Sequence, residues 1–380
     1  MTINNQKRVY SLFLSISMTA GQLKGTLLEY IVRNLMINCG FASVIPDGHY
    51  IYRQDGSGLF FINGKGAAHD ADVLMEPPIQ MPFSYPSRLL FECKSYDRRI
   101  GLDVVRNGLG LRYDINEFEI VTDETIQRRK NNRRDTYAIS SRKRYHYQVG
   151  IASVEEFSRP AFEFAANNKI PLLSMRWFLK NSTCDLFHRI NDTYLHDMSV
   201  ETRGLLYKFL KDKTPDSKTS SLYDDLFEYL LTDNISGQIL RDFEEVINNC
   251  VVGLLETGDL LFLFANERGV GNLFREQGQG GNMEARLHYY ADDVTKWTLA
   301  INNYRSQVSR PIELEFNVPI GLLYQWRDFN YDKYAGYTMK GAFFSRIFIF
   351  SQRASSYGLP FTVVNLDSEW LEELRSRGEQ

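Results

Sequence analysis

The stretch RLLFECKSYDRRIG, residues 88–101, places charged residues within an apolar run that is typical of a buried strand. Side chains alternate along a strand, so Leu90, Glu92 and Lys94 share one face and the residues between them point to the other. Charged side chains are seldom buried without a partner or a function. Glu92 and Lys94 therefore mark a candidate functional site on a rigid element.

A helix earlier in the chain supplies another carboxylate. Residues 21–39, GQLKGTLLEYIVRNLMINC, carry apolar residues at helical spacing, and Gly40 ends the pattern. Glu29 lies at the edge of the apolar stripe of this helix. Two interpretations stay open: a helix packed on the sheet could aim Glu29 at the site, or Glu29 could be solvated and pair with Arg33 four residues later.

Residues 70–75, DADVLM, predict a short strand. If this strand pairs with residues 88–95 through the proline-rich connection, Asp72 comes close to Glu92. Two carboxylates that close repel unless a cation lies between them, and Mg²⁺ held by two carboxylates, a backbone carbonyl and waters would meet that need. The alternative for Asp72, Glu92 and Lys94 is a buried structural ion cluster, which usually costs more in desolvation than it returns.

The surrounding pattern predicts an α/β unit followed by a different C-terminal architecture. Strand and helix alternate through residues 145–175, which implies a partly parallel sheet with helices on its faces. Residues 97–112 predict a helix weakened by Gly108 and Gly110, and two segments predict a hairpin, EFEIVTD (117–123) and TYAIS (136–140). We expect an α/β domain over 1–176, a helical connector over 177–233 with its linker at 211–221, and a mainly β or α+β domain over 234–380.

The C-terminal domain is predicted from a series of apolar segments. Strands are expected in INNCVVGLLETGDLLFLFANE (247–267), ARLHYYADD (285–293), WTLAINN (297–303), IELEFNVPIGLLYQW (312–326), FFSRIFIFSQ (343–352) and LPFTVVNL (359–366). Its aromatic residues are at strand spacing and belong mostly to a core, with a base-stacking or partner surface as the alternative. The domain is a candidate for target sensing or protein assembly.

The order of the N-terminal parts resembles the PD-(D/E)xK superfamily of restriction-endonuclease-like nucleases. A glutamate on a first helix (GTLLEYIVRNLMINCGF, 25–41), an aspartate before a strand (HDADVL, 69–74) and Glu-x-Lys on the next strand (LLFECKS, 89–95) follow the order of that family. Residues 147–175 are similar to the strand, helix and strand that close the fold in the Mrr-like, type IV branch. The resemblance covers about residues 20–176 and implies a mixed central sheet flanked by helices.

The resemblance implies metal-dependent phosphodiester hydrolysis. Asp72, Glu92 and the backbone carbonyl of Cys93 would be ligands of Mg²⁺ or Mn²⁺, and Glu29 would complete the catalytic set. Lys94 would orient or help to deprotonate the attacking water and stabilise the pentavalent phosphorus.

Three positions depart from the pattern of the family. Ala71 stands where a proline is common before the aspartate. Asp70 competes as a ligand, but Asp72 is preferred because it directly precedes the apolar run. Asp70 and His69 are then candidates for contacting the ligand side chains without binding the ion themselves. The QxK form common in Mrr-like enzymes is replaced by Glu-Cys-Lys, which secures a carboxylate ligand.

Basic residues suggest how nucleic acid could bind. Between positions 128 and 144 there are eight basic residues against one acid: Arg128, Arg129, Lys130, Arg133, Arg134, Arg142, Lys143 and Arg144. Such a segment favours salt-dependent phosphate contact over an ordinary solvated loop. Arg98 and Arg99, just after the Lys94 strand, are placed to touch phosphates. The net charge of −3 is uneven, with 24 basic and 18 acidic residues in 1–180 against 20 and 29 in 181–380, although so modest an asymmetry also arises by chance.

The sequence therefore predicts a Mg²⁺-dependent DNA endonuclease, with a role in prokaryotic restriction or phage defence expected from the resemblance alone. A non-catalytic nucleic-acid-binding or assembly module on the same fold, and a DNA repair or recombination nuclease, remain the alternatives. The four cysteines lack metal-ligand spacing and predict reduced core thiols of a cytoplasmic protein. No apolar stretch reaches the length of a membrane helix. A homodimer is a further expectation, because nucleases that make double-strand breaks often pair two sites.

Overall fold

The structure is a computed structural model that describes residues 18–46, 52–54, 59–80, 82–116, 145–212, 234–265, 270, 274, 283–290, 292–302, 311–350 and 361–378. The predicted hairpin at 117–140, the basic segment at 128–144 and most of the predicted linker at 211–221 lie outside these residues.

In the described residues of the N-terminal part, a long helix is followed by strands and two further helices. In chain order these elements are α1 (Ala20–Asn38), β1 (Ala42–Ser43), β2 (Tyr52–Gln54), β3 (Phe60–Asn63), β4 (Ala68–Asp70), β5 (Val73–Glu76), β6 (Ser87–Lys94), α2 (Leu102–Asn116), β7 (His146–Ser153), α3 (Arg159–Asn167) and β8 (Leu172–Ser174).

The remaining elements are helices and then mostly strands. They are α4 (Asn181–Arg189), α5 (Asp192–His196), α6 (Val200–Lys211), α7 (Ser236–Ile247), β9 (Cys250–Leu255), β10 (Leu260–Ala265), β11 (Met283–Tyr290), β12 (Asp293–Ile301), β13 (Ile312–Asn317), α8 (Ile320–Asp328), α9 (Lys333–Phe343), β14 (Arg346–Phe350), β15 (Phe361–Leu366) and α10 (Ser368–Gly378).

Local sequence explains where α1 begins and ends. The Thr19 hydroxyl caps the helix by accepting a hydrogen bond from the backbone N–H of Gln22, and the backbone N–H of Thr19 donates to Gln22 Oε1. Gly40 adopts φ +89°, a left-handed conformation that glycine tolerates and that ends the helix. The helix predicted over 21–39 is confirmed.

The central sheet has the order β1-β5-β6-β7-β8. Strands β6, β7 and β8 are parallel, while β5 and β1 are antiparallel to their neighbours. The two faces of β6 contribute to different clusters: Leu89 and Phe91 pack with the apolar residues of α1, and Leu90 packs with Leu111 of α2. Helices therefore cover both faces of a mixed sheet, and the predicted mixed α/β architecture is confirmed. A separate small sheet has the order β2-β3-β4.

The two glycines of α2 have different surroundings. Gly108 was expected to weaken this helix, but a Cβ added there would lie 2.8 Å from the Ile151 side chain of β7. Gly108 thus allows α2 to approach the sheet closely. A Cβ at Gly110 would meet no atom within 4 Å.

The C-terminal strands form a closed seven-stranded β-barrel in the order β10-β13-β12-β11-β15-β14-β9. Every neighbouring pair is antiparallel except β11 and β15. Trp297, Phe316 and Phe344 belong to its buried cluster, which agrees with the prediction of mostly core aromatics. One prediction was wrong: the second half of residues 312–326 forms helix α8, which follows Pro319.

The hydrophobic core runs through all three predicted domains. One buried cluster contains Leu35 of α1, Phe187 of α4, Leu240 of α7 and Phe262 and Phe350 of the barrel. The four cysteines are free and buried, as predicted. Among the described residues, every helix is either too short or too polar to span a bilayer.

Candidate active site

The pairing of β5 with β6 brings the predicted carboxylates together. Val73 lies opposite Phe91, and continuing this antiparallel register by one residue places Asp72 beside Glu92. The backbone N–H of Cys93 donates to Asp72 Oδ2 at 2.8 Å. The expectation that residues 70–75 pair with the Lys94 strand is confirmed, and the long proline-rich connection is the means by which β5 returns to β6.

Glu92 and Lys94 contact each other at the end of β6. Lys94 Nζ donates to Glu92 Oε2 at 2.8 Å. The Lys94 side chain is 26% exposed and the Glu92 side chain is 19% exposed. They stay reachable from solvent, unlike Cys93, whose thiol is buried towards α1. Cys93 can therefore contribute to the site through its backbone.

Glu29 is buried and has a partner that neither sequence interpretation anticipated. Its two carboxylate oxygens accept hydrogen bonds of 2.8 and 2.9 Å from Lys211 Nζ, at the last residue of α6. Arg33, the expected partner, is also buried and donates through Nη2 to the carbonyl of Leu210 at 2.7 Å. No sequence signal marks Lys211 as the partner of Glu29, because 182 residues separate the two and Lys211 is the first residue of the predicted linker.

The electrostatics show that these groups act on one another. Loss of solvation, followed by the negative charges of Glu29 and Glu92, raises the pKa of Asp72 to about 7, although the Cys93 hydrogen bond and Lys94 oppose this. Among the described residues, the only hydrogen bond to the Asp72 carboxylate comes from the Cys93 backbone, with no ammonium or guanidinium group in contact. Asp72 is therefore the carboxylate of this group that has most to gain from an added cation.

The lysines remain charged at neutral pH. Burial lowers the pKa of Lys94, but the charge of Glu92, the hydrogen bond to it and the charge of Asp72 outweigh burial and raise the pKa to about 12. The pKa of Lys211 is raised in the same way, with burial outweighed by the charge and hydrogen bond of Glu29 and by Asp72. Lys94 is suited to donating to a phosphate oxygen, and less to the proton-accepting part of its predicted role.

Two residues expected to support the ligands lie elsewhere. His69 Nε2 lies 2.6 Å from Asp114 Oδ2, and Asp114 also accepts from the backbone N–H of Gly66. His69 and the exposed Asp70 both belong to β4 of the small sheet. In the described part of the chain, neither side chain contacts Asp72, Glu92 or Lys94, because the chain leaves β4 before it enters the central sheet. His69 instead holds the small sheet to α2.

The predicted phosphate-contacting residues are only partly described. Arg98 and Arg99 are exposed in the loop that follows β6, and their neighbour Asp97 accepts from Lys24 Nζ of α1 at 2.9 Å. This ion pair joins the loop to α1. The other eight predicted contacts, between Arg128 and Arg144, lie outside the described residues.

A second polar cluster lies farther along the same edge of the sheet. The pairing of parallel strands aligns Lys94 with Ser153, and Ser153 with Ser174, at their carboxyl ends. Beyond them, Arg176 donates to Glu155 at 2.8 Å through Nε, and also to Asp185 and Asn181. Because the guanidinium of Arg176 is bound on all sides, this cluster serves to attach α4 to the sheet.

The donor set fits a hard divalent ion. Among the described residues, no three His, Cys, Asp or Glu side chains converge closely enough to count as a metal centre by themselves. Mg²⁺, however, is commonly held by one or two carboxylates, with waters and substrate phosphate filling the other positions. Asp72 and Glu92 supply two adjacent carboxylates, and Cys93 supplies a nearby backbone carbonyl. All three are the oxygen donors that such an ion prefers.

Comparison with known proteins identifies no family. No protein-family model and no curated protein matches the chain. A crystal structure of a protein of unknown function aligns with a TM-score of 0.25 and 12% sequence identity, over 54% of this chain and 97% of that protein. A likeness this weak carries no argument about fold or activity.

Proposed function

We propose that this protein is a Mg²⁺-dependent DNA endonuclease of the PD-(D/E)xK type. The observation that carries the proposal is the meeting of Asp72, Glu92 and Lys94 at the end of two paired strands, with Glu29 close enough to act on Asp72. Lys94 contacts Glu92 and Lys211 contacts Glu29, which leaves Asp72 as the carboxylate beside which an added cation is most favourable. Mn²⁺ would serve as an alternative ion.

The residues divide the chemistry between them. Asp72, Glu92 and the carbonyl of Cys93 would hold the ion, which supplies activation of a water molecule and charge neutralisation at the phosphate. Lys94 stabilises negative charge on the phosphate through its ammonium group, which Glu92 orients at 2.8 Å. The Cys93 N–H fixes Asp72 in the geometry that the site needs.

Exposed basic residues next to these groups support a nucleic acid as the substrate, and the choice of DNA rests on the resemblance. Arg98 and Arg99 would contact phosphates beside the scissile bond, and the basic segment between Arg128 and Arg144 would add sequence-independent affinity. A role in restriction or phage defence, a homodimer and target sensing or assembly by the C-terminal barrel complete the proposal, and these parts rest on the resemblance and on the architecture.

The test is a cleavage assay with matched lysine variants. Wild type, Lys94→Ala and Lys169→Ala are incubated with supercoiled, linear and single-stranded DNA, with and without Mg²⁺ or Mn²⁺. Lys169 is the control because it also forms a 2.8 Å ion pair, with Asp259, but on the surface. We expect cleavage that requires metal, is reduced more than about 100-fold in Lys94→Ala and is unchanged in Lys169→Ala.

Two outcomes of this assay would contradict the proposal. If all three proteins bind DNA and none cuts it under any metal, the catalytic proposal fails, and a binding or assembly module on this architecture becomes the better description. Cleavage by Lys94→Ala at the wild-type rate would show that the nuclease site lies elsewhere or that a contaminant is responsible.

A further inference from the structure

Lys211 is a cation built into the candidate active site. It lies on α6, outside the segment that carries the other site residues, and donates to both oxygens of Glu29. Its side chain is 13% exposed and that of Glu29 is 7% exposed, so the pair is largely shielded from solvent screening. A bidentate contact of this kind occupies the carboxylate edge that a metal ion would otherwise use.

The helix that carries Lys211 is held firmly in place. Arg33, one turn after Glu29 on α1, donates at 2.7 Å to the carbonyl of Leu210, the residue before Lys211. The rings of Tyr30 and Phe209 pack nearby with their centroids 5.6 Å apart. Lys211 is thus presented by a rigid element, as expected for a group that must hold its position in a site.

The formal charges of the site indicate how many divalent ions it can take. Glu29, Asp72 and Glu92 carry three negative charges, and Lys94 and Lys211 carry two positive ones. These five charges sum to −1, so one divalent ion brings the metal-free site to +1 and a second ion would bring it to +3. Without the Lys211 ammonium each of these totals falls by one, so the loss of Lys211 lowers the charge penalty of a second ion as well as freeing Glu29.

We propose that Lys211 takes the place of a second divalent ion at Glu29, so that the chain binds one ion, at Asp72 and Glu92. This inference rests on the proposed function. It assigns Lys211 as a positioning residue that sets the metal stoichiometry of the site. The proposal predicts that removing the ammonium frees Glu29 to act as a ligand and admits a second ion.

The experiment counts bound ions without measuring activity. The full chain is titrated with Mn²⁺ in the absence of DNA, and free Mn²⁺ is followed by electron paramagnetic resonance. Wild type and Lys211→Arg, which keeps the charge, are expected to bind one ion per chain. Lys211→Met and Lys211→Gln are expected to bind two, and Lys169→Met, which breaks the surface ion pair with Asp259, is expected to bind one.

Further variants keep the result interpretable. The double variant Glu29→Gln with Lys211→Met removes both charges and the freed ligand, so it should return to one ion. Lys211→Gln keeps a hydrogen-bond donor for Glu29 and guards against a failure of Lys211→Met to fold, which circular dichroism would reveal. One ion in every variant, or two ions in the wild type, overturns the proposal for Lys211 and leaves the nuclease proposal standing. No bound ion in the wild type instead removes the metal site on which both proposals rest.

Discussion

Lysine ammonium groups in this protein are stabilised in two different ways. In the candidate site, Lys94 and Lys211 each contact a carboxylate at 2.8 Å. On helix α9, Lys340 is 3% exposed, and its Nζ donates to the carbonyl of Leu287 on β11 at 2.6 Å. No carboxylate contacts Lys340 among the described residues.

Aromatic rings surround Lys340 in place of a counter-ion. Its Nζ lies 5.2 to 5.8 Å from four ring centroids, those of Tyr289, Trp297, Trp370 and Tyr337. Cation–π attraction to these rings offsets part of the free energy that the ammonium loses when it leaves water. Burial nevertheless lowers the pKa of Lys340 from 10.5 to about 8.

Replacing Lys340 by methionine should stabilise the protein, and more at pH 7 than at pH 10. Below pH 8 the lysine is charged in both the folded and the unfolded states, so the burial penalty is fully present. Between about pH 8 and 10.5 the folded state releases its proton before the unfolded state does, so wild-type stability rises with pH in this window. We expect Lys340→Met to gain about 2 kcal/mol at pH 7 and to lose most of that advantage by pH 10.

Chemical denaturation at the two pH values measures this difference. Lys333→Met, at an exposed position on the same helix, is the control and should show little change at either pH. A loss of stability in Lys340→Met at pH 7 would mean that the aromatic rings stabilise the ammonium by more than its burial costs.

At the scale of elements, β7 approaches its two parallel neighbours closely at Gly150. Gly150 lies opposite Phe91 of β6, and a Cβ at this position would come within 2.7 Å of the Phe91 ring and 3.1 Å of the carbonyl oxygen of Pro171. The ring could shift, but the backbone before β8 cannot do so without disturbing the sheet. The small residue is therefore required for three strands to pair side by side.

We expect Gly150→Ala to destabilise the protein by about 2 kcal/mol through overpacking. Gly110→Ala is the matched control, since a Cβ there meets nothing within 4 Å and alanine favours a helix interior by about 1 kcal/mol. Urea denaturation should thus shift in opposite directions for the two variants. Equal stability for Gly150→Ala and the wild type would contradict the close approach of β6, β7 and β8.

At the scale of the whole molecule, the central sheet and the barrel share one core. Phe91 of β6 and Phe262 of β10 have ring centroids 6.5 Å apart, and the rings of Phe178 and Phe264 stack at 4.8 Å. The side chain of Asn38, at the end of α1, donates to the carbonyl of Ile247. The two parts therefore bury each other's apolar surface, which makes independent unfolding unfavourable.

Calorimetry on the full chain should show a single unfolding transition. Phe262→Ala removes a ring that packs between the two parts, so we expect the whole transition to move to lower temperature, with a loss of about 3 kcal/mol. Two separate transitions, of which only one responds to Phe262→Ala, would show that the sheet and the barrel unfold independently.

The parts of the site that could be predicted are those that neighbouring segments of sequence place together. Asp72 precedes an apolar run, and Glu92 and Lys94 alternate with apolar residues, so strand period and pairing were enough to predict their meeting. Helix α8 was missed because a short apolar run does not distinguish a buried helix from a strand, although Pro319 is a helix-start signal. His69 is close to Asp72 in sequence, which suggests a place at the site. In the structure its side chain contacts Asp114, near the C-terminal end of α2.

The sequence by itself determined the local elements, the alternation that makes a mixed α/β unit and the order of the acidic and basic residues along it, because these depend on propensities and periodicities within a few residues. Only the tertiary structure decided that Lys211 meets Glu29, that the C-terminal strands close into a barrel and that the barrel shares the core of the sheet. Such contacts join residues far apart in the chain. They form because burying apolar surface and pairing buried charges is favourable only once the whole chain has packed, and no local pattern records which distant segments will meet.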